Sequence, residues 1–296
     1  MPELPDVTVY VEALNRHIGG QCLERVSIRS PFLVRSVEPD VFTAEGRVVE
    51  EVFRIGKRIV WRLEGEMFLV FHLMIAGRFH MKNKDYRPKA KVDLAVFGFP
   101  KLALALTEAS PKKRASLHAA QGEASLEEFR RGGLEIAEIS LDDFKAALTG
   151  SNRTLKRALT NPATFSGIGN AYSDEILHTA GLSPLKRTGQ LSEEELQRLF
   201  AACVETLAVW TQRLRAATGD GFPEQVTAFR EEMAVHGKYG QPCPQCGTSV
   251  QRIRYAENEI NYCPRCQTGG KMLADRSLSR LLHDEWPKTI EEWEEP

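Results

Sequence analysis

Residues 48–72 read VVEEVFRIGKRIVWRLEGEMFLVFH, and three short apolar runs within them set the fold class. Val48–Phe53, Arg58–Leu63 and Met67–His72 are rich in β-branched and aromatic residues, and Gly56 and Gly65 stand in the gaps between them. Runs of this length bounded by turn residues read as strands joined by tight connections. The pattern extends outward in both directions. Val26–Ile28 precedes it, and Val92–Phe97 and Leu102–Leu106 follow, with Gly77 and Gly98-Phe99-Pro100 as further punctuation. Many short strands with turn signals predict an antiparallel sandwich for this part of the chain.

Other periods flank the strands. Residues 1–18 predict a helix, with Val7, Val9, Leu14 and Ile18 at roughly helical spacing and Gly19-Gly20 as its stop. Residues 108–124 are polar and read as a loop with a basic tip, Lys112, Lys113 and Arg114. From Ser125 onward helical patterns cover 125–131, 140–149, 151–159, 170–180, 191–217 and 222–233, and Ser192 with Glu195 has capping-box spacing. Residues 271–283 predict a short helix and 284–296 a frayed end. The fold class is therefore α+β. It comprises an N-terminal antiparallel β-sandwich with an N-terminal helix, a C-terminal helical domain and a small Cys-rich hairpin. The expected boundaries are 1–124, 125–236, 237–270 and a C-terminal extension, 271–296, to which no role can be read from its residues.

The hairpin is defined by Cys243, Cys246, Cys263 and Cys266, two C-x2-C pairs separated by sixteen residues. Each pair is a tight knuckle that turns two thiolates to one side, and the spacer is long enough for a two-stranded ribbon. Four thiolates close a tetrahedron with no open position, which is the donor set of one structural Zn2+. Two redox pairs are the alternative, but those normally open a helix in a βαβ unit. Cys22 and Cys203 stand apart and read as small buried hydrophobes.

With 296 residues, 27% charged and 42% hydrophobic, the composition is that of a globular protein. No window approaches the ~20 apolar residues of a membrane span. The acidic start Met1-Pro2-Glu3-Leu4-Pro5-Asp6 lacks the basic and apolar regions of a secretory signal. A cytoplasmic, nucleoid-associated monomer without a membrane partner is the expectation. The formal net charge of −1 hides an uneven distribution. Residues 51–118 hold fourteen Lys and Arg against six Asp and Glu, a net of +8, whereas 283–296 nets −5. Phosphate binding responds to the local field, so the basic stretch is compatible with nucleic acid. A solvated lysine-rich surface is the other reading.

The start Pro2-Glu3-Leu4-Pro5-Asp6-Val7 closely resembles that of formamidopyrimidine-DNA glycosylases and the related endonuclease VIII-type enzymes. The resemblance continues through Gly56-Lys57-Arg58 and Phe71-His72-Leu73-Met74-Ile75-Ala76-Gly77. It runs on through Lys156, the Gly167–Glu175 stretch of a helix–two-turns–helix element and Val235-His236-Gly237-Lys238 leading to a zinc finger, so that residues 2–267 agree in order and spacing. Leu4 points to the formamidopyrimidine branch, since the endonuclease VIII group usually has Gly there.

The resemblance implies a base-excision-repair glycosylase and AP lyase acting on oxidised or ring-opened bases in double-stranded DNA, or on its abasic sites. After Met1 is removed, the Pro2 amine would attack C1′. A free α-amine titrates near ~8, so a useful fraction is neutral at pH 7. Glu3 would move protons at the sugar, and Lys57 would join them in the catalytic set. His72, Lys156 and Asn170 would contact the DNA backbone, Met74 would wedge into the stack, and the basic tip would add charge. Asp6 stands where the family usually has Glu.

Two departures stand out. Asn258 occupies the finger position, five residues before the third cysteine, where the family usually carries an arginine. The family's Asp-Pro-Arg-Arg-Phe-like loop is replaced by Glu108-Ala-Ser-Pro-Lys-Lys-Arg-Ala, which lacks an aromatic. A DNA-binding relative with little base excision is therefore the alternative. The lesion, the opposite-base preference and one- or two-step elimination are left open.

Overall fold

The strands expected between residues 25 and 108 form, and two more join them. The computed structural model describes residues 1–88, 91–224, 226–255, 258–274 and 287–294. They divide into two compact units, Met1–Arg131 with Trp210–Thr227 and Gly132–Val209 with Ala228–Pro296. No helix among the described residues is long and apolar enough to cross a membrane.

In the first unit, helix α1 (Leu4–Ile18) starts at a capping box in which the Asp6 carboxylate accepts the Glu3 N–H at 3.0 Å. Its inner face buries Val7, Tyr10, Leu14 and Ile18 completely. Eight strands follow: β1 (Arg25–Ile28), β2 (Val49–Ile55), β3 (Arg58–Leu63), β4 (Met67–His72), β5 (Gly77–Asn83), β6 (Asp93–Gly98), β7 (Leu102–Glu108) and β8 (Ser116–Gln121). They make two four-stranded sheets, ordered β1-β6-β7-β5 and β2-β3-β4-β8, with every pairing antiparallel. The core between them centres on Trp61, whose ring lies 4.7 Å from Phe71 and 5.1 Å from Phe97.

β5 and β8 are the two additions. β5 alternates Gly77 and Phe79, both buried, with the polar-facing Arg78 and His80. β8 lies inside the expected 108–124 loop because Ser-Leu-His-Ala-Ala-Gln is weak strand sequence. Its pairing to β4, with Leu117 opposite the buried Phe71, makes it a strand. Residues 125–131 give a 3-10 turn, Glu123–Phe129, in place of an α-helix.

Residues 222–233 are not helical where described, contrary to the sequence expectation. Pro223 has no N–H to give a helix, and the neighbouring groups bond to the sheet instead. Phe222 and Val226 enter the first unit's core, the Glu224 carboxylate accepts Met81 N–H at 3.0 Å, and Val226 O accepts Arg78 Nε at 2.5 Å.

The second unit contains α2 (Leu141–Thr149), started by a Ser140–Asp143 capping box, α3 (Leu155–Leu159) and α4 (Asn170–Thr179). Residues 151–154 of the expected 151–159 helix are not helical, and Thr154, in extended conformation, is the N-cap of α3. α5 (Glu193–Thr218) begins in this unit and supplies its last residues, from Trp210, to the first. β9 (Gln251–Tyr255) and β10 (Asn258–Tyr262) form the ribbon, closed by α6 (Pro264–Thr268).

Residues 271–274 are extended, and the rest of the helix expected at 271–283 lies outside the described residues, as do Lys89 of the basic stretch and Asp284, Glu285 and Glu295 of the acidic end. The end expected to fray holds a helical turn, Ile290–Glu294. It is tied down because Ile290 is fully buried and its N–H reaches Gly270 O at 2.8 Å.

Phe71→Ala should lower the unfolding free energy by about 3–5 kcal/mol, as expected for an aromatic truncated in a packed core. Denaturant unfolding followed by tryptophan fluorescence checks this, and a loss below about 1 kcal/mol would contradict the Trp61-centred core.

Candidate active site and metal centre

The second residue of the chain is fixed before any tertiary contact is considered. The capping box holds Glu3 and Asp6 head to tail, both are 2% exposed, and Pro2 beside them is buried. An N-terminus would ordinarily fray; here it is packed. The α-amine, borne by Met1 in this chain, is held below its ordinary value by burial, opposed by Glu3 and assisted by Arg78. Asp6 opposes and Lys57 assists more weakly. Two cations and two carboxylates thus act on one amine.

The turn between β4 and β5 leads into Arg78, which acts on this amine. Leu73 O accepts Gly77 N–H at 2.8 Å, and a Cβ at Gly77 would lie 2.3 Å from that oxygen, so only glycine fits. Met74, expected to supply the wedge, sits at φ 52° and is half-buried. Ile75 is 53% exposed and forms the apolar tip. Arg78 braces the turn, with Nη1 donating to Ile75 O at 3.1 Å and Gly77 O at 2.6 Å. Neither Ile75 nor Arg78 carries a motif of its own in the sequence; the alternation Gly77-Arg78-Phe79-His80 is the signal that marks Arg78 as polar-facing.

His72 ends β4. Burial, reinforced by Arg58 and Lys57, pushes its imidazole down to about 4, so it is neutral at pH 7 and offers one N–H. The basic tip is built on Glu108, which is 1% exposed and accepts the N–H groups of Arg114 and Ala115 at 2.9 Å each. Lys113, at φ 42°, turns its ammonium back onto Glu108 O. Lys112 and Arg114 are exposed.

In the second unit Lys156 and Asn170 come together. Lys156 is 4% exposed; its ammonium pairs with Asp174 and donates to Asn170 O at 2.6 Å. It is therefore an internal brace and not a surface charge. Asn170 begins α4 and donates from Nδ2 to Glu259 O on β10 at 2.7 Å. The other Asp174 oxygen meets His236 Nδ1 at 2.8 Å. Glu175 accepts three consecutive N–H groups, from Ala234, Val235 and His236, at 2.8–2.9 Å. Burial still drives its carboxyl above the ordinary range. Asp174 and Glu175 lie in the Gly167–Glu175 stretch, but no local pattern indicates that they fasten the segment entering the finger.

The sulfurs of Cys243, Cys246, Cys263 and Cys266 all lie within 4.8 Å of one another. Cys246 and Cys263 are 3.4 Å apart and Cys243 and Cys266 are 3.9 Å apart. Tetrahedral zinc with Zn–S bonds near 2.3 Å sets such edges at roughly 3.8 Å, so the set fits the metal. Cys266 N–H donates to Cys263 Sγ at 3.4 Å, and His178 Nε2 lies 3.2 Å from Cys243 Sγ. Outer partners of this kind orient thiolates and lower their charge. The residues hold one structural zinc.

Chelation should remove one equivalent of zinc and unfold the ribbon, seen as loss of the near-ultraviolet signal of Tyr262, which is fully buried there. A ribbon still folded after complete zinc removal would contradict the assignment. His72 gives a pH test. Its folded value, about 4, lies below the unfolded one, so its contribution is present above about pH 6.5 and lost as pH falls towards 4. His72→Asn should show a shallower loss of denaturant stability across that window than the parent chain.

Comparison with known proteins agrees with this arrangement. Residues 1–113 match the formamidopyrimidine-DNA glycosylase N-terminal domain, 135–216 its H2TH domain and 240–269 the zinc finger found in FPG and IleRS. The formamidopyrimidine-DNA glycosylase of Heliobacterium modesticaldum is 32% identical, over 90% of this chain and all of its own length. That of Thermus thermophilus is 32% identical over 91% of this chain and again its full length. An uncharacterized formamidopyrimidine-DNA glycosylase-like protein of Mycobacterium tuberculosis is 41% identical over 51% of this chain and 93% of its own. Among solved structures, MutM in complex with DNA containing carbocyclic 8-oxo-G superposes with a TM-score of 0.79 at 25% identity. It covers 90% of this chain and all of its own. Lactococcus lactis Fpg in complex with abasic-site-containing DNA gives a TM-score of 0.80 at 25% identity, over 90% of this chain and 99% of its own. With the buried N-terminal proline, the helix–two-turns–helix element and the four-thiolate ribbon in one order along the chain, this protein belongs to the formamidopyrimidine-DNA glycosylase family.

Proposed function

We propose that this chain excises oxidised or ring-opened bases from double-stranded DNA through the amine of Pro2, exposed by removal of Met1. As a member of its family it is a base-excision-repair DNA glycosylase with AP lyase activity. The observation that carries the residue assignment is the packed N-terminus, where Pro2 is buried beside Glu3 and Asp6, both 2% exposed, at the start of α1. Removal of Met1 makes the Pro2 nitrogen the terminal amine, and its neutral form is the nucleophile.

The steps follow from these groups. The target nucleotide leaves the stack at a cost of about a few kcal/mol, and Ile75, the apolar tip of the β4–β5 turn, fills the space in place of Met74. The neutral Pro2 nitrogen attacks C1′, the C1′–N bond to the base breaks, and the base departs with a proton. Glu3 serves the proton transfers as the sugar ring opens to the iminium. Loss of a proton from C2′ then expels the 3′ phosphate. Lys57 neutralises phosphate charge, whereas neutral His72 contributes direction through one N–H. In the second unit Lys156 acts through Asn170, fixing the carbonyl while the amide engages the ribbon. Lys112 and Arg114 add charge near the void, and no aromatic in that loop stacks there. DNA is thus the macromolecular partner, and zinc supplies structure alone.

Borohydride added to the processed protein on an abasic-site duplex should trap a covalent adduct. Protein that retains Met1 should trap none. Glu3→Gln should slow release of an oxidised purine by about 10²–10⁴-fold. Binding without any adduct from processed protein would overturn the proposal in favour of a damage-binding relative.

A further inference from the structure

One end of the β2-β3-β4-β8 sheet gathers cations around an aromatic ring. Arg58 pairs across the strands with His72, and His118 is two residues beyond Ser116, the partner of His72 on β8. Residues two apart on neighbouring strands share a face, so Arg58, His72 and His118 point the same way. Phe129 is their platform. The Arg58 guanidinium carbon lies 5.7 Å from the Phe129 ring centre and Nη1 donates to Phe129 O at 3.2 Å, while the His118 ring centre is 5.1 Å away. Arg131, two residues on, is exposed and close enough to act on the charges of Arg58 and His72.

These charges are not neutralised internally. Among the described residues neither Arg58 nor Arg131 has a carboxylate within ion-pair distance, although the adjacent Arg130 pairs with Glu127 at 2.9 Å. Burial and Arg131 both act against the charge on Arg58. His118 is pushed down by burial; Glu128 opposes this, while Arg58 and Arg35 reinforce it. Lys57, Arg58, His118 and Arg131 all act on His72. A half-buried guanidinium held over a ring near another arginine is repelled by it until an anion bridges the two. The planar fork suits two phosphate oxygens.

We propose that Arg58, His118 and Arg131, set around Phe129, form a phosphate site that takes a DNA backbone phosphate beyond those assigned to Lys57 and His72. The site rests on the reading that this unit binds duplex DNA. Arg58 gives a paired contact, Arg131 adds charge from the outer side and His118 offers a single N–H. The contact is independent of base sequence, so it strengthens binding to damaged and undamaged duplexes alike.

Fluorescence anisotropy of the processed full-length protein on an undamaged duplex, across a salt series, tests it. R58Q/R131Q should bind about tenfold more weakly at about 0.1 M salt, and the slope of log K against log salt should fall by about one. R131Q alone leaves the Arg58–Phe129 contact intact, so it keeps the test decisive if R58Q fails to fold, and it should show a smaller fall of the same sign. An affinity and slope equal to the parent's in folded R131Q would overturn the site. So would a parent-like slope with stabilisation by inorganic phosphate that R131Q abolishes, since that marks a free-phosphate site. Failure of the parent protein to form a borohydride adduct, with the slope difference intact, would count against the Pro2 mechanism and leave this site standing.

Discussion

The reciprocal capping of α1 by Glu3 and Asp6 fixes where the chain begins, and the proposed chemistry depends on that position. A nucleophile at a terminus must be both accessible and still, which are opposed demands. The capping box meets the second by tying the Glu3 N–H to a carboxylate one turn on. Burial of Val7, Tyr10 and Leu14 then anchors the helix itself. Asp6 is a shorter acid than the family's usual Glu, and its reach matches the N-cap N–H at 3.0 Å. Its role is thereby architectural and electrostatic at once, since it also acts on the amine.

Positive charge is used in two distinct states. Some cations are committed: the buried Lys156 to Asp174 and Asn170, and the half-buried Arg78 to three carbonyls. Burying a charge without a partner is costly, so such groups position their neighbours and do not wait for a ligand. The second group is half-exposed and mutually repelling, as around Phe129. The same division appears in the 108–115 loop, where Lys113 folds back while Glu108 collects the N–H groups of Arg114 and Ala115. The loop that lost its aromatic is thus a charged connection between the two sheets, gathered around Glu108, and not an unstructured substitute.

In the second unit, the ribbon is held from two sides. Zinc closes it at the cysteines. Glu175, with three N–H groups in one carboxylate, and Asn170, through Glu259 O, fasten it to α4. The missing finger arginine is compensated locally only in part. Arg252 stacks on Tyr239 with its guanidinium carbon 3.9 Å from the ring centre and, like Arg254, faces Glu259. Asn258 is exposed at the hairpin and brings no charge of its own.

By itself the sequence determined what local rules determine. Short apolar runs between turn residues marked six strands of the sandwich, helical spacing marked α1 and most later helices, and cysteine spacing gave the metal. The order of motifs gave the family, and the resemblance pointed to Pro2 and Glu3 as the proposed catalytic pair. Only the tertiary structure decided the rest. Ser116–Gln121 becomes a strand because β4 offers it an edge, and 222–233 fails as a helix because its polar groups are taken by β5 and its apolar ones by the core. Met74 is half-buried while Ile75 is the exposed tip, a choice made by one left-handed residue and one glycine. The physical reason is common to these cases. Strand pairing, burial and charge pairing are interactions between residues far apart in sequence, and no local period records them.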